Sequence, residues 1–128
     1  THALLQDVNT GEEFIFLTTH FDHVGQQARL LSAVLLKGWI AGVTIERNIP
    51  VVLTGDFNFQ PAEEPYASIV NDKTPVLLDA RPSDNNQGTF CGFEKGKMEC
   101  IIIDYIFHTP DIMVEKFEVM QENNGQYY

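Results

Sequence analysis

The chain has 128 residues, with 18 acidic against 8 basic side chains and a net charge of −10. At 44% hydrophobic and 20% charged residues it is a globular composition, long enough to bury one modest core and not that of a disordered segment. The acidic balance opposes non-specific binding to nucleic acid, which depends on Lys and Arg at phosphates, and no apolar run approaches the roughly 20 residues that span a bilayer.

Ala3-Leu4-Leu5 and Phe14 to Thr19 flank the turn-rich segment Asp7-Val8-Asn9-Thr10-Gly11-Glu12, which predicts a β-hairpin. From Gly25 to about Leu36 the pattern is helical. Ala28, Leu31, Val34 and Leu35 mark the apolar side and Gln26, Gln27 and Arg29 the outside. The helix can run on through Trp39, Ile40, Val43 and Ile45, although Gly38 and Gly42 weaken it. Asn48-Ile49-Pro50 closes it and opens a strand at Val51 to Thr54. A short helix over 61–70 follows, with Glu63 and Glu64 in its first turn. Then come an extended edge at Val76-Leu77-Leu78, a polar loop over 81–88, a strand at Ile101 to Phe107 and a last strand at 113–120. Cys91 and Cys100 flank a polar turn with Gly92, Lys95, Gly96 and Lys97. A disulfide and two buried thiols are both compatible with that placement, and a zinc site is not. This β-β-α-β order with further strands is an α+β arrangement, one mostly antiparallel sheet with a packed helix, over a single unit 1–128.

The chemistry concentrates where strands end. Val51-Val52-Leu53-Thr54-Gly55-Asp56-Phe57-Asn58 runs apolar to a glycine and then presents an acid and an amide two apart. On an extended chain both would point the same way. A carboxylate can take a proton from water and an amide can hold a phosphate oxygen, although an Asx turn closing the strand has the same sequence. Phe14 to Thr19 ends in His20-Phe21-Asp22-His23, and Ile101-Ile102-Ile103-Asp104-Tyr105 embeds an acid among apolar residues, which is costly unless it is paired or used. Asp22 and His23 suit a cap at the helix start. His2 and His108 belong to no constellation, Phe57 and Phe59 could line a site entrance, and Asp79 could pair with Arg81.

Thr-His-Phe-Asp-His, Thr-Gly-Asp-Phe-Asn, Gly-Thr-Phe and Ile-Asp-Tyr-Ile-Phe occur in that order. In them the chain resembles the endonuclease/exonuclease/phosphatase superfamily, the deoxyribonuclease-I-like phosphohydrolases. The resemblance implies the second half of a four-layer α/β/β/α sandwich, with one inner sheet face left uncovered as an apolar patch or a dimer contact. It implies a metal-dependent phosphoester hydrolase using in-line water attack. In it Asp56 orients or deprotonates the water, Asn58 fixes phosphate or water, His20 donates to a phosphate oxygen, and Asp104 pairs with a catalytic His in a terminal Ser-Asp-His segment. Thr89 becomes a phosphate contact, against the plainer reading of a turn hydroxyl. The implied ion is Mg²⁺ or Mn²⁺, with Asp56 and Asn58 beside it and the principal metal acid supplied by the family's first half. Substrates in the family are nucleic acid, phospholipid or small phosphate esters. The chain then reads as a piece of an enzyme that is inactive alone and needs the N-terminal half of the fold as partner. The alternative is a truncated, non-catalytic binding or scaffold module.

Overall fold

A computed structural model describes residues 1–71, 73–93 and 99–120. Strands β1 (His2–Gln6) and β2 (Glu13–His20) form the expected antiparallel hairpin. Its turn is organised by Asp7, whose Oδ1 accepts the backbone N–H groups of Asn9 at 2.7 Å and Thr10 at 3.0 Å. Those two donors stabilise the ionised form and hold the Asp7 carboxyl below its ordinary range. Helix α1 (Gln26–Arg47) continues unbroken through Gly38 and Gly42 and returns the chain to β3 (Val51–Asp56), parallel to β2. Then come α2 (Glu64–Val70), the two-residue β4 (Leu78–Asp79) and β5 (Asp104–His108). The five strands lie in the order β1-β2-β3-β5-β4. Among the described strands only the β2–β3 pair is parallel, and α1 provides the crossover such a pair needs.

Alternation along the strands places the core. Ile15, Leu17, Val51, Leu53, Tyr105 and Phe107 are buried on one face, toward the helices. Phe57 and Phe59 are fully buried with them and do not line an entrance. Phe57 meets Phe21, Tyr105 and Phe107 edge-on at centroid distances of 5.0, 5.8 and 5.3 Å, the arrangement that ring quadrupoles favour. The opposite face carries Phe14, Phe16, Val52 and Ile106, with Ile106 43% exposed, so an open apolar strip exists where one was anticipated. Trp39 stays at the rim, stacked obliquely on His2 at 4.8 Å.

The phase of α1 differs from expectation. Arg29, Ala33, Lys37 and Ile40 face inward, whereas Leu31, Val34 and Leu35 are 60, 56 and 76% exposed. A helix apolar nearly all round gives hydropathy little to phase on, and hydrogen bonding decides instead. The Lys37 ammonium donates to the carbonyls of Ile69 at 3.0 Å and Asn71 at 3.1 Å and to the Asn71 side chain, neutralising the C-terminal end of α2. By length and composition alone this 22-residue helix could cross a membrane, which corrects the reading that no run approaches that size. Here it lies against the sheet, with Ala33 and Ile40 at zero exposure.

Residues 113–120 are extended but pair into no strand among the described residues. They cover the β4–β5 edge through Phe117, whose ring lies 5.0 Å from the Arg81 guanidinium carbon, in place of the backbone ladder the alternation suggested. Cys91 and Cys100 are joined in a disulfide beside the Phe90–Ile101 bridge. The turn at Lys95, Gly96 and Lys97, and the stretch Asn123 to Tyr128, lie outside the described residues.

Candidate functional site

Strand register builds the site. His20 stands opposite Asp56 across the parallel β2–β3 pair, and Asp56 stands opposite Asp104 across the antiparallel β3–β5 pair. Three residues far apart in sequence therefore form one row at one end of the sheet. His20 Nε2 lies 3.3 Å from Asp56 Oδ2, with side-chain exposures of 72% and 30%. A histidine this open can turn one ring nitrogen to the carboxylate and leave the ring accessible to a ligand. His20, Asp56, Thr89 and Asp104 share a cavity of about 500 Å³, whose floor is Gly55 and whose far wall is Phe117 to Met120.

The packing of Gly55 explains how close the strands come. Its φ is +153°, and a β-carbon there would lie 2.1 Å from the Thr19 carbonyl oxygen. Only glycine lets β3 pass β2 at this level while exposing bare backbone to the cavity.

Asn58 is placed differently from the same-side expectation. β3 ends at Asp56, and Asn58 adopts a left-handed φ of 51°, so alternation no longer applies. Asp56 Oδ1 accepts the Asn58 backbone N–H at 2.9 Å, an Asx turn, and Asn58 Nδ2 donates to the Phe21 carbonyl at 3.0 Å. Asn58 thus ties the loop after β3 to the loop after β2, outside the cavity lining. Arg29 adds a second tie. Its Nη1 donates to the Asp22 carbonyl at 3.2 Å and its Nη2 reaches Glu63 Oε2 at 3.4 Å, so one buried cation of α1 holds both loops that bear the row.

The Thr89 hydroxyl accepts the backbone N–H groups of Ile103 and Asp104, each at 3.1 Å, and so fixes the start of β5 while facing the cavity. Asp22 Oδ1 accepts the Val24 N–H at 2.8 Å, and this with the Gly25 N–H holds its carboxyl low. It closes the turn before α1, while the helix N-cap itself is Gly25 without a side-chain cap. Asp79 does not pair with the Arg81 guanidinium. It accepts the Arg81 backbone N–H at 2.9 Å and the Tyr66 hydroxyl at 3.2 Å, while the guanidinium turns to Asn85 and Gln87. Burial raises both Asp79 and Tyr66, the latter to about 12. His108 is buried, its Nδ1 against the Thr109 carbonyl.

Sequence reasoning did not place Arg81 or the Phe117 to Met120 wall at this cavity, and nothing local in the polar loop after Asp79 signals it. Among the described residues no three His, Cys, Asp or Glu side chains gather as a metal-binding group. The carboxylate of Asp56, the carboxylate of Asp104 and the amide oxygen of Asn58 are hard donors of the type Mg²⁺ accepts, but they fit such an ion only in part.

No protein-family model matches the chain, and no curated protein matches it. Solved structures do. An endonuclease/exonuclease/phosphatase family protein from Bacteroides thetaiotaomicron aligns at 33% identity and a TM-score of 0.72, over 85% of this chain and 40% of that one. A mannosyl-6-phosphatase from the same organism aligns at 33% and 0.72, over 85% and 42%. An endonuclease/exonuclease/phosphatase from Bacteroides vulgatus aligns at 36% and 0.66, over 85% and 42%. The chain spans about two fifths of the length of these structures.

Proposed function

Because the chain belongs to the endonuclease/exonuclease/phosphatase superfamily, we propose that it carries the phosphate-activating wall of a metal-dependent phosphoester hydrolase. The observation that carries this reading is the row His20–Asp56–Asp104, with His20 Nε2 and Asp56 Oδ2 3.3 Å apart in a common cavity. Asp56 orients a water and accepts its proton as the water oxygen bonds to phosphorus. The bond from phosphorus to the ester oxygen then breaks in line, and the alcohol leaves. His20 donates to a non-bridging oxygen, where negative charge builds. Asp104 carries the second carboxylate of the row and orients a proton-transferring group reaching the cavity from beyond β5. Thr89 and Asn58 hold the loops on which these groups stand. Bound Mg²⁺ or Mn²⁺, held in part by the Asp56 and Asp104 carboxylates, would neutralise charge on the phosphate.

A small phosphate ester suits the cavity volume, and likeness to a mannosyl-6-phosphatase supports that class. The net charge of −10 disfavours a polyanionic substrate. The alternative reading is a truncated binding or scaffold module without turnover. Hydrolysis of a generic phosphoester by the intact protein, with and without EDTA, separates the two. Asp56→Ala is expected to lower EDTA-sensitive turnover by about 10²–10⁴-fold with the fold intact. Near-unchanged turnover in that variant would overturn the assignment.

A further inference from the structure

Arg81 is a cation that feels the Asp79 carboxylate through space but bonds it only through its backbone N–H. In a chain of net charge −10, Arg29 has Glu63 and Lys116 has Glu118, yet among the described residues Arg81 forms no ion pair. Its Nη1 donates to two neutral acceptors, Asn85 Oδ1 at 3.0 Å and the Gln87 carbonyl at 2.9 Å. Its Nε is buried and has no acceptor. The ring of Phe117 lies 5.0 Å from the guanidinium carbon. The guanidinium is thus fixed through one nitrogen, set over one ring, and offset in charge only by the through-space field of Asp79. A partly buried cation in that condition is costly unless something arrives to neutralise it.

Its position says what arrives. Arg81 lines the same cavity as His20, Asp56, Thr89 and Asp104. Asp56 and Asp104 in that cavity form no ion pair with it, so part of its charge is open to an anionic ligand. A guanidinium suits phosphoryl oxygens in both geometry and charge. We infer that Arg81 binds the phosphoryl group of the substrate in the cavity it shares with His20, and that it selects a terminal phosphomonoester over a phosphodiester. A monoester offers three non-bridging oxygens, enough for His20 and Arg81 to hold one each with a third left over. A diester offers two, and the second ester substituent must pass the Phe117 to Met120 wall. The monoester is also close to a dianion near neutral pH, so its attraction to a fixed cation is about twice that of a diester. This inference rests on the phosphoester reading of the site.

The test compares the intact protein with Arg81→Met and Arg81→Lys, in Mg²⁺, on p-nitrophenyl phosphate and bis(p-nitrophenyl) phosphate. Inorganic phosphate is titrated in parallel by ³¹P NMR, and melting temperatures are recorded. Arg81→Met is expected to lower monoester kcat/KM by about tenfold to a hundredfold, mostly through KM, to weaken phosphate binding by a similar factor, and to change diester hydrolysis by less than about threefold. Arg81→Lys should recover part of the monoester loss, and it serves as the informative variant if the methionine form does not fold. Equal losses on both esters, or unchanged phosphate affinity, would overturn the inference. Asp56→Ala separates the two levels. Turnover that survives it refutes the site reading itself. Turnover abolished by it, with phosphate binding intact in Arg81→Met, refutes only the role of Arg81. An unaltered protein that binds no phosphate refutes both.

Discussion

The polar row and the aromatic layer beneath it are built by residues adjacent in sequence. Asp56 precedes Phe57, and Asp104 precedes Tyr105; the first of each pair is partly exposed and the second is at most 4% exposed. In the row, the His20 and Asp56 side chains are held by one or two polar contacts, and with Asp104 they line the open cavity. In the layer, rings pack on rings at 5–6 Å and exclude water. The difference teaches that position along a strand end sets whether a substitution removes chemistry or removes the fold, even one residue away.

Phe57→Ala should break the comparison hardest. Deleting a fully buried ring that meets Phe21, Tyr105 and Phe107 is expected to destabilise the fold by about 3–5 kcal/mol, read as a drop in the denaturant midpoint, and to remove activity with it. One residue earlier, Asp56→Ala should cost only about 0.5–1.5 kcal/mol, through the lost acceptor of the Asn58 N–H, and leave the protein folded. His20→Ala is expected to lower kcat by about 10²–10³-fold with little change in KM and none in melting temperature. A pure KM effect would move His20 from transition-state stabilisation to substrate holding. Lys37→Met tests the third kind of position, a buried cation. Loss of a donor to the Ile69 and Asn71 carbonyls should cost about 1–3 kcal/mol without altering kcat in the folded protein, and an unchanged or raised stability would show that packing of the methionine outweighs those bonds.

The smallest expected effect is in pH. Burial and the neighbouring Asp79 carboxylate raise the Tyr66 phenol to about 12, so the folded state holds that proton longer than the unfolded chain does. The stability it contributes is fully present below the ordinary tyrosine value near 10 and is lost as pH rises through about 12. Tyr66→Phe should flatten that limb of the alkaline unfolding curve. An unaltered slope between pH 10 and 12 would place the cause elsewhere.

What the residues disclosed in advance followed from alternation and punctuation. The hairpin, the β2–α1–β3 crossover and the buried strand residues are legible because period-two patterning and the Asp7 and Pro50 boundaries act locally. His20, Asp56 and Asp104 were nameable because each ends or begins an apolar run. The rest depends on partners distant in sequence. Asn58 left the extended path because Asp56 captured its N–H and the Phe21 carbonyl captured its amide. The face of α1 was misjudged because Arg29 and Lys37 find acceptors on Asp22, Glu63, Ile69 and Asn71, which no local pattern reveals. The 113–120 segment alternates like a strand but is held by a side chain on Arg81 rather than by a backbone ladder.

Gly55 sits one residue before the row, opposite Thr19 and Tyr105, and contributes only backbone. A β-carbon there would meet the Thr19 carbonyl at 2.1 Å and lever β2 from β3, carrying His20 away from Asp56. The spacing on which the chemistry depends is therefore set by a missing side chain. A library randomised at this codon and selected for turnover should return glycine alone, whereas randomising Val8, which is 95% exposed, should return many solutions. The narrowest bottleneck in the variation open to this chain lies at the residue with the least to offer chemically.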